Sequence, residues 1–189
     1  MEAIDALLSR KSSAMLDIPA PSPDEIQILL QAATRAPDHC RLRPWKFLII
    51  ENDARKALGD VMVEALRIRD PKASDAMLEK TRGKPLRAPL IIVVIAKVEE
   101  HPKVPNVEQV LSAGAAAQNI MIAAHALGYA GIWRSGAPCF DEHVREALGA
   151  TGNDQIVGFL YLGTASKKPI LPNEPIDEYL EFWTGKDRN

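Results

Sequence analysis

The residues able to do chemistry fall in three stretches: Ser9-Arg10-Lys11-Ser12-Ser13, the loop from Arg35 to Trp45, and Gly131-Ile132-Trp133. In the first, two cations stand among three hydroxyls, a set that would attract a phosphate and donate hydrogen bonds to it. The same set suits the solvated end of a helix, where cations meet the negative end of the dipole. The second, Arg35-Ala36-Pro37-Asp38-His39-Cys40-Arg41-Leu42-Arg43-Pro44-Trp45, holds three arginines and a histidine between prolines that partly fix its backbone. It is a candidate site for an anion or a polar ring, although on composition alone an ordinary solvated connection is the better reading. In the third, Gly131 would let a ligand approach the backbone, and Trp133 offers a flat face and one N–H donor. A core strand with a packed tryptophan explains that stretch equally well.

Other chemistries lack their spacing. There is no Gly-x-Gly-x-x-Gly after a strand, no Walker phosphate loop and no Gly-x-Ser-x-Gly. Histidines 39, 101, 125 and 143 show no His-x-x-x-His spacing, so no metal site is expected. Cys40 and Cys139 form no Cys-x-x-Cys pair and no disulfide framework, which points to a reduced, cytoplasmic setting. The start, MEAIDALLSRK, lacks the apolar core of a signal peptide. Lysine plus arginine is 23 against 25 aspartate plus glutamate, a balance that argues against a nucleic-acid partner.

The elements that must position these stretches centre on Val107 to Gly128, whose middle is the small-residue run Ser112-Ala113-Gly114-Ala115-Ala116-Ala117. Its composition favours a helix, Gly128 suits a left-handed cap, and an almost wholly apolar helix must be covered on most sides. The uncharged part would rise roughly 24 Å at about 1.5 Å per residue, short of a hydrocarbon core of about 30 Å, so a membrane span is not expected. Small side chains allow close approach of another helix or of a second copy of the chain.

Around it, Ile4, Leu7 and Leu8 mark a short helix, and Ser22-Pro23-Asp24-Glu25 reads as a capping box opening a second. Strands are expected at Lys46 to Ile50, at Leu90 to Ala96 (LIIVVIA, buried on both faces) and at Ile156 to Leu162, and the stretch from Tyr129 to Gly136 should start as a strand and end in a turn. Helices are expected from Ala54 to Leu66, Ser74 to Arg82 and Asp141 to Leu148. A proline-rich tail carries Tyr179, Phe182 and Trp183, aromatics that a disordered segment should lack, so it should dock. This alternation of strand and helix, taken alone, suggests a doubly wound parallel sheet.

Together these pieces resemble the nitroreductase family of FMN-dependent oxidoreductases, and more narrowly its small, single-domain YdjA-like members. The carriers are Arg10-Lys11-Ser12 after a short helix, Arg35-Ala36-Pro37-Asp38-His39 ending in Pro44-Trp45, and Lys103-Val104-Pro105. The helix from Ser112 to Gly128, Gly131-Ile132-Trp133-Arg134-Ser135-Gly136 and the segment from Ile156 to Gly163 complete the series. Their order and separations over nearly the whole chain make the resemblance specific.

The resemblance implies an α+β fold, with a mixed central β-sheet flanked by helices and two chains intertwined as a homodimer. Residues 1–165 would form the FMN-binding domain, and residues 166–189 an extended tail docked on the partner subunit. It implies that Arg10, Lys11 and Ser12 bind the flavin on its phosphate side, that Arg35 and His39 reach it from the other subunit, and that Gly131, Ile132 and Trp133 run beside its ring. Lys168 would stand near the phosphate. NADH or NADPH would supply a hydride, and a nitroaromatic, quinone or similar small molecule would accept the electrons. No side chain is assigned as a general acid or base. An activated alkene as acceptor, or a flavin carrier without turnover, are the other readings. The loop departs from the family pattern, in which asparagine and glutamine precede Pro-Trp; here Arg41 and Arg43 stand nearby. That departure bears on the polarity of the substrate pocket.

Overall fold

A computed structural model of the chain describes residues 1–167, 170 and 175–185. Helices α1 (Ala3–Ser9) and α2 (Pro23–Ala33) flank the two-residue strand β1 (Leu16–Asp17). Strand β2 (Trp45–Glu51) leads to α3 (Ala54–Arg69) and α4 (Asp75–Arg82), and β3 (Leu90–Ala96) to α5 (Asn106–Ala126). Then come β4 (Ala130–Arg134), α6 (Ala137–Phe140), α7 (Glu142–Ala147) and β5 (Gln155–Ala165).

The strands form one sheet in the order β1-β5-β3-β2, with β4 also paired to β5. Every ladder between these strands is antiparallel. The parallel pairing among the described residues is a single bridge between Ser12 and Gly131. The doubly wound parallel sheet suggested by alternation alone is therefore not formed, and the α+β arrangement is. The apolar run of β3 has another cause than parallel pairing: both faces of the sheet are covered. Leu90, Ile92, Val94 and Ala96 face α2 and α5, while Ile91, Val93 and Ile95 face Leu58, Met62 and Ala65 of α3 and Val144 of α7.

Local signals hold where physical chemistry is strongest. Ser22 accepts from the Glu25 N–H at 3.3 Å and the Glu25 carboxylate accepts from the Ser22 N–H at 2.8 Å, closing the capping box of α2. That hydrogen bond from the Ser22 backbone, followed by one from the Tyr129 hydroxyl, holds the Glu25 pKa below the usual carboxylate value. Ser74 and Asp141 cap α4 and α7. Gly128 follows α5 with a φ of 93°, the left-handed conformation expected after its last turn.

Helix α5 is largely apolar, and Gln109, Ser112 and Asn119 are among the polar side chains on it that act as fasteners. Gln109, 1% exposed, accepts from the Glu99 N–H and donates to the Glu99 and Val104 carbonyls, so the loop before the helix is clamped to it. Ser112 donates to the Pro37 carbonyl at 2.7 Å and Asn119 to the Ala32 carbonyl at 3.0 Å. Both bonds fix the end of α2 and the start of the arginine loop. No helix among the described residues is long and apolar enough to cross a membrane.

Candidate functional site

A cavity of about 300 Å³ opens where the end of α1, the last turn of α5 and the start of β4 meet. Arg10 and Lys11 line it together with Ser9, Ser13, His125 and Gly131. The bridge from Ser12 to Gly131, with the Ser13 N–H donating to the Gly131 carbonyl at 3.0 Å, ties the segment after α1 to the edge of β4. Ser9 and His125, far apart in sequence, meet at 2.8 Å between the serine hydroxyl and Nε2.

The site is electropositive. Neither Arg10 nor Lys11 has an ion pair or side-chain hydrogen bond among the described residues. His125 shares their cavity, and burial, then the charges of Arg10 and Lys11, push its pKa below the ordinary histidine value. Two unneutralised cations beside a histidine held neutral form a place for an anion.

The sequence-derived residues distribute unevenly. Arg10, Lys11 and Gly131 share the cavity, and Ser12 joins them through its backbone bridge. Ile132 points to the opposite face of the sheet, where it packs with the α3 and α7 cluster, so only its backbone runs beside the cavity's edge strand. Trp133 packs in the core on the α5 side, and its ring N–H donates to the Val157 carbonyl at 3.2 Å. The packed-tryptophan reading is the one realised for that side chain. At Gly131 an added Cβ would stand 2.8 Å from Leu162 Cδ2, 2.9 Å from the Tyr161 carbonyl and 3.0 Å from Met121 Cε. Glycine is required there by the chain's own packing, whatever else approaches it.

Arg35 and His39 stand elsewhere. Arg35 lines a cleft with Arg41 and Arg43. His39 Nδ1 lies 2.7 Å from a Glu108 carboxylate oxygen on α5. Lys168 falls outside the described residues. Among the other lining residues, Ser9 and Ser13 belong to the hydroxyl stretch singled out in the sequence, whereas His125 was not selected there. A lone histidine in the alanine-rich last turn of α5 was the available sign for His125. Cys139 is buried, and burial pushes its thiol up to about 11, so it is inert; Cys40 is exposed in the arginine loop. Among the described residues no group of three or more His, Cys, Asp or Glu side chains could hold a metal ion.

Fold and site define an α+β protein with a basic cavity at the edge of an antiparallel sheet, and comparison with known proteins agrees. Residues 7–164 match the family model described as the nitroreductase family. The Escherichia coli K12 protein provisionally named NAD(P)H nitroreductase YdjA is 45% identical over 168 residues, covering 89% of this chain and 91% of that protein. A nitroreductase-like family protein from Bacillus cereus superposes with a TM-score of 0.83 at 25% identity, over 98% of this chain and 97% of its own. A nitroreductase from Bacteroides fragilis crystallised with FMN shares the fold, with a TM-score of 0.71 at 22% identity over 97% of this chain and 99% of its own. The chain belongs to the nitroreductase family of oxidoreductases.

Proposed function

We propose that the protein is an FMN-dependent oxidoreductase that takes a hydride from NADH or NADPH and reduces a nitroaromatic, a quinone or a similar small acceptor. The observation that carries this reading is the partnerless pair Arg10 and Lys11 over a cavity whose histidine is held neutral. Those residues fit the phosphate end of the cofactor: they supply charge and donors, and no carboxylate among the described lining residues competes for them. The names of the Escherichia coli and Bacteroides fragilis proteins support the same chemistry. When bound, the flavin supplies the redox chemistry, and the protein's part is to hold, orient and shield it.

Each residue then has a limited task. Arg10, Lys11 and the hydroxyl of Ser12 bind the phosphate. Backbone N–H groups of 131–133 run beside the ring, and Lys168 is a further cation for the phosphate. Arg35 and His39 contribute from the partner subunit of a homodimer. The exposed apolar residues of a single chain support that dimer: Ile4, Leu7 and Leu8 on α1, Val107 and Leu111 on α5, and Tyr179, Phe182 and Trp183 in the C-terminal tail.

Substituting Arg10 by Ala tests the site. Loss of a charge-assisted bond should weaken FMN by about tenfold to a hundredfold, read from the visible flavin band retained after gel filtration. Bleaching of that band by NADH or NADPH, followed by its return with a nitroaromatic, is the expected sign of turnover. A protein that takes up no flavin overturns the reading, and an Arg10→Ala variant with undiminished affinity overturns the role of Arg10.

A further inference from the structure

We propose that the cleft of Arg35, Arg41 and Arg43 is an anion subsite for a substrate of this flavin reaction, taking a phosphate or carboxylate carried by the donor or the acceptor. The assignment of that anion to a substrate rests on the flavin reading above; the anion site itself does not. The cleft encloses about 690 Å³ and is walled by the three arginines, Thr34, Asp38 and Trp45. It shares no lining residue with the cavity of Arg10 and Lys11.

Three features set it apart from a solvated loop. The first is charge without partners. Elsewhere Arg55 donates to the Ala88 carbonyl, Arg69 to the Asp141 carboxylate and Arg145 to the Gly152 and Asp154 carbonyls. Arg35, Arg41 and Arg43 have no such bond among the described residues. Asp38, the carboxylate of the cleft, is occupied, with Oδ1 accepting the Leu42 N–H at 3.1 Å and Oδ2 the Arg43 N–H at 2.8 Å.

The second is backbone conformation. Cys40, Arg41 and Arg43 have φ values of 60°, 56° and 51°, in the left-handed region that non-glycine residues rarely occupy. Two of these three strained residues are arginines of the cleft. Strain of this kind persists only where surrounding bonds over-determine it. Here those bonds are the Asp38 carboxylate on the loop's own N–H groups, Ser112 on the Pro37 carbonyl at 2.7 Å and Glu108 on His39 at 2.7 Å. The loop is thus pinned to α5 in a shape that aims guanidiniums at one space.

The third is the wall. Half-buried Trp45 supplies a planar apolar surface beside the guanidiniums. A planar aromatic group carrying an anion, such as an adenosine 2′-phosphate or a nitroaromatic carboxylate, matches both the ring and the charge.

Calorimetry on the purified full-length protein tests this with two pairs of probes, 2′,5′-ADP against 5′-AMP and nitrobenzoate against nitrobenzyl alcohol. The wild-type protein should prefer the added anion in at least one pair. Arg41→Gln, Arg43→Gln and the double variant, each first shown folded by thermal melting, should cut that preference by about tenfold or more in the double variant. Loss in the adenosine pair assigns the anion to the dinucleotide donor, and loss in the nitroaromatic pair assigns it to the acceptor. A wild-type protein with no preference in either pair, or variants that keep it, overturns the proposal. A protein that binds no flavin but shows the arginine-dependent preference overturns the flavin reading alone.

Discussion

His125 reports on the cavity more directly than any other single residue. Burial and the charges of Arg10 and Lys11 favour its neutral form, so its pKa is depressed below about 6.5. An anion bound between those cations cancels their effect and must raise it. Histidine NMR should therefore show His125 titrating below the ordinary histidine value in the flavin-free protein. Saturation with inorganic phosphate or FMN should move it upward, and Arg10→Ala should do the same without ligand. An unmoved titration would remove the link between cavity and anion. The sign for stability follows from the same shift: the unfolded chain binds the proton first, so as pH falls from the ordinary histidine value to the depressed one, this group costs stability. Arg10 and Lys11 were legible as two cations among hydroxyls that could hold a phosphate, a reading that residue type left beside that of a solvated helix end. His125 was not, because its role depends on a hydrogen bond to Ser9 that spans most of the chain.

Between elements, the close contacts of β4 with β5 decide what glycine does. Gly131 sits against the Tyr161 carbonyl and Leu162, and Gly158 sits under the Trp133 ring. A methyl at Gly131 forces β4 away from β5 and α5 and should destabilise the fold by about 1–3 kcal/mol, read as a lower denaturant midpoint. Gly158→Ala should cost at least as much, since Trp133 must leave its place and the bond to the Val157 carbonyl. A Gly131→Ala variant of unchanged stability would return the glycine to a ligand's use, as the sequence first suggested. The stripes of α2 and α3, the capping box at Ser22 and the β3 run were legible because each is set by local preference or burial period. Strand direction was not, since LIIVVIA has the same pattern in any sheet covered on both faces, and only the resemblance pointed away from a doubly wound arrangement. The short pieces β1, α6 and the helical turn at His39–Arg41 carry no period at all.

At the scale of the whole molecule, one chain leaves its largest helix half covered. Ala113, Ala116, Ala117 and Ile120 of α5 are buried against the sheet and α2, while Val107 and Leu111 on the other side are 61% and 66% exposed. Gly114 lies on that outward stripe, one turn beyond Leu111, and a Cβ there would meet nothing within 4 Å. Beside it, Leu7, Gln118, Asn119 and Ile122 line a shallow groove that reaches Arg35. In the homodimer proposed above, a second copy laid along this stripe would cover the apolar side chains, and the resemblance implies that its arginine loop, held to α5 by Ser112 and Glu108, reaches the first chain's cavity. Dimer and flavin site are then one structure, and breaking either should weaken the other. Light scattering should give twice the chain mass of 20.7 kDa for the wild-type protein. Leu111→Asp, which puts a charge in the middle of the stripe, should yield a folded monomer by circular dichroism that no longer retains FMN through gel filtration. A monomeric wild-type protein that holds its flavin would separate the two and leave Arg35 and His39 without a part in the site.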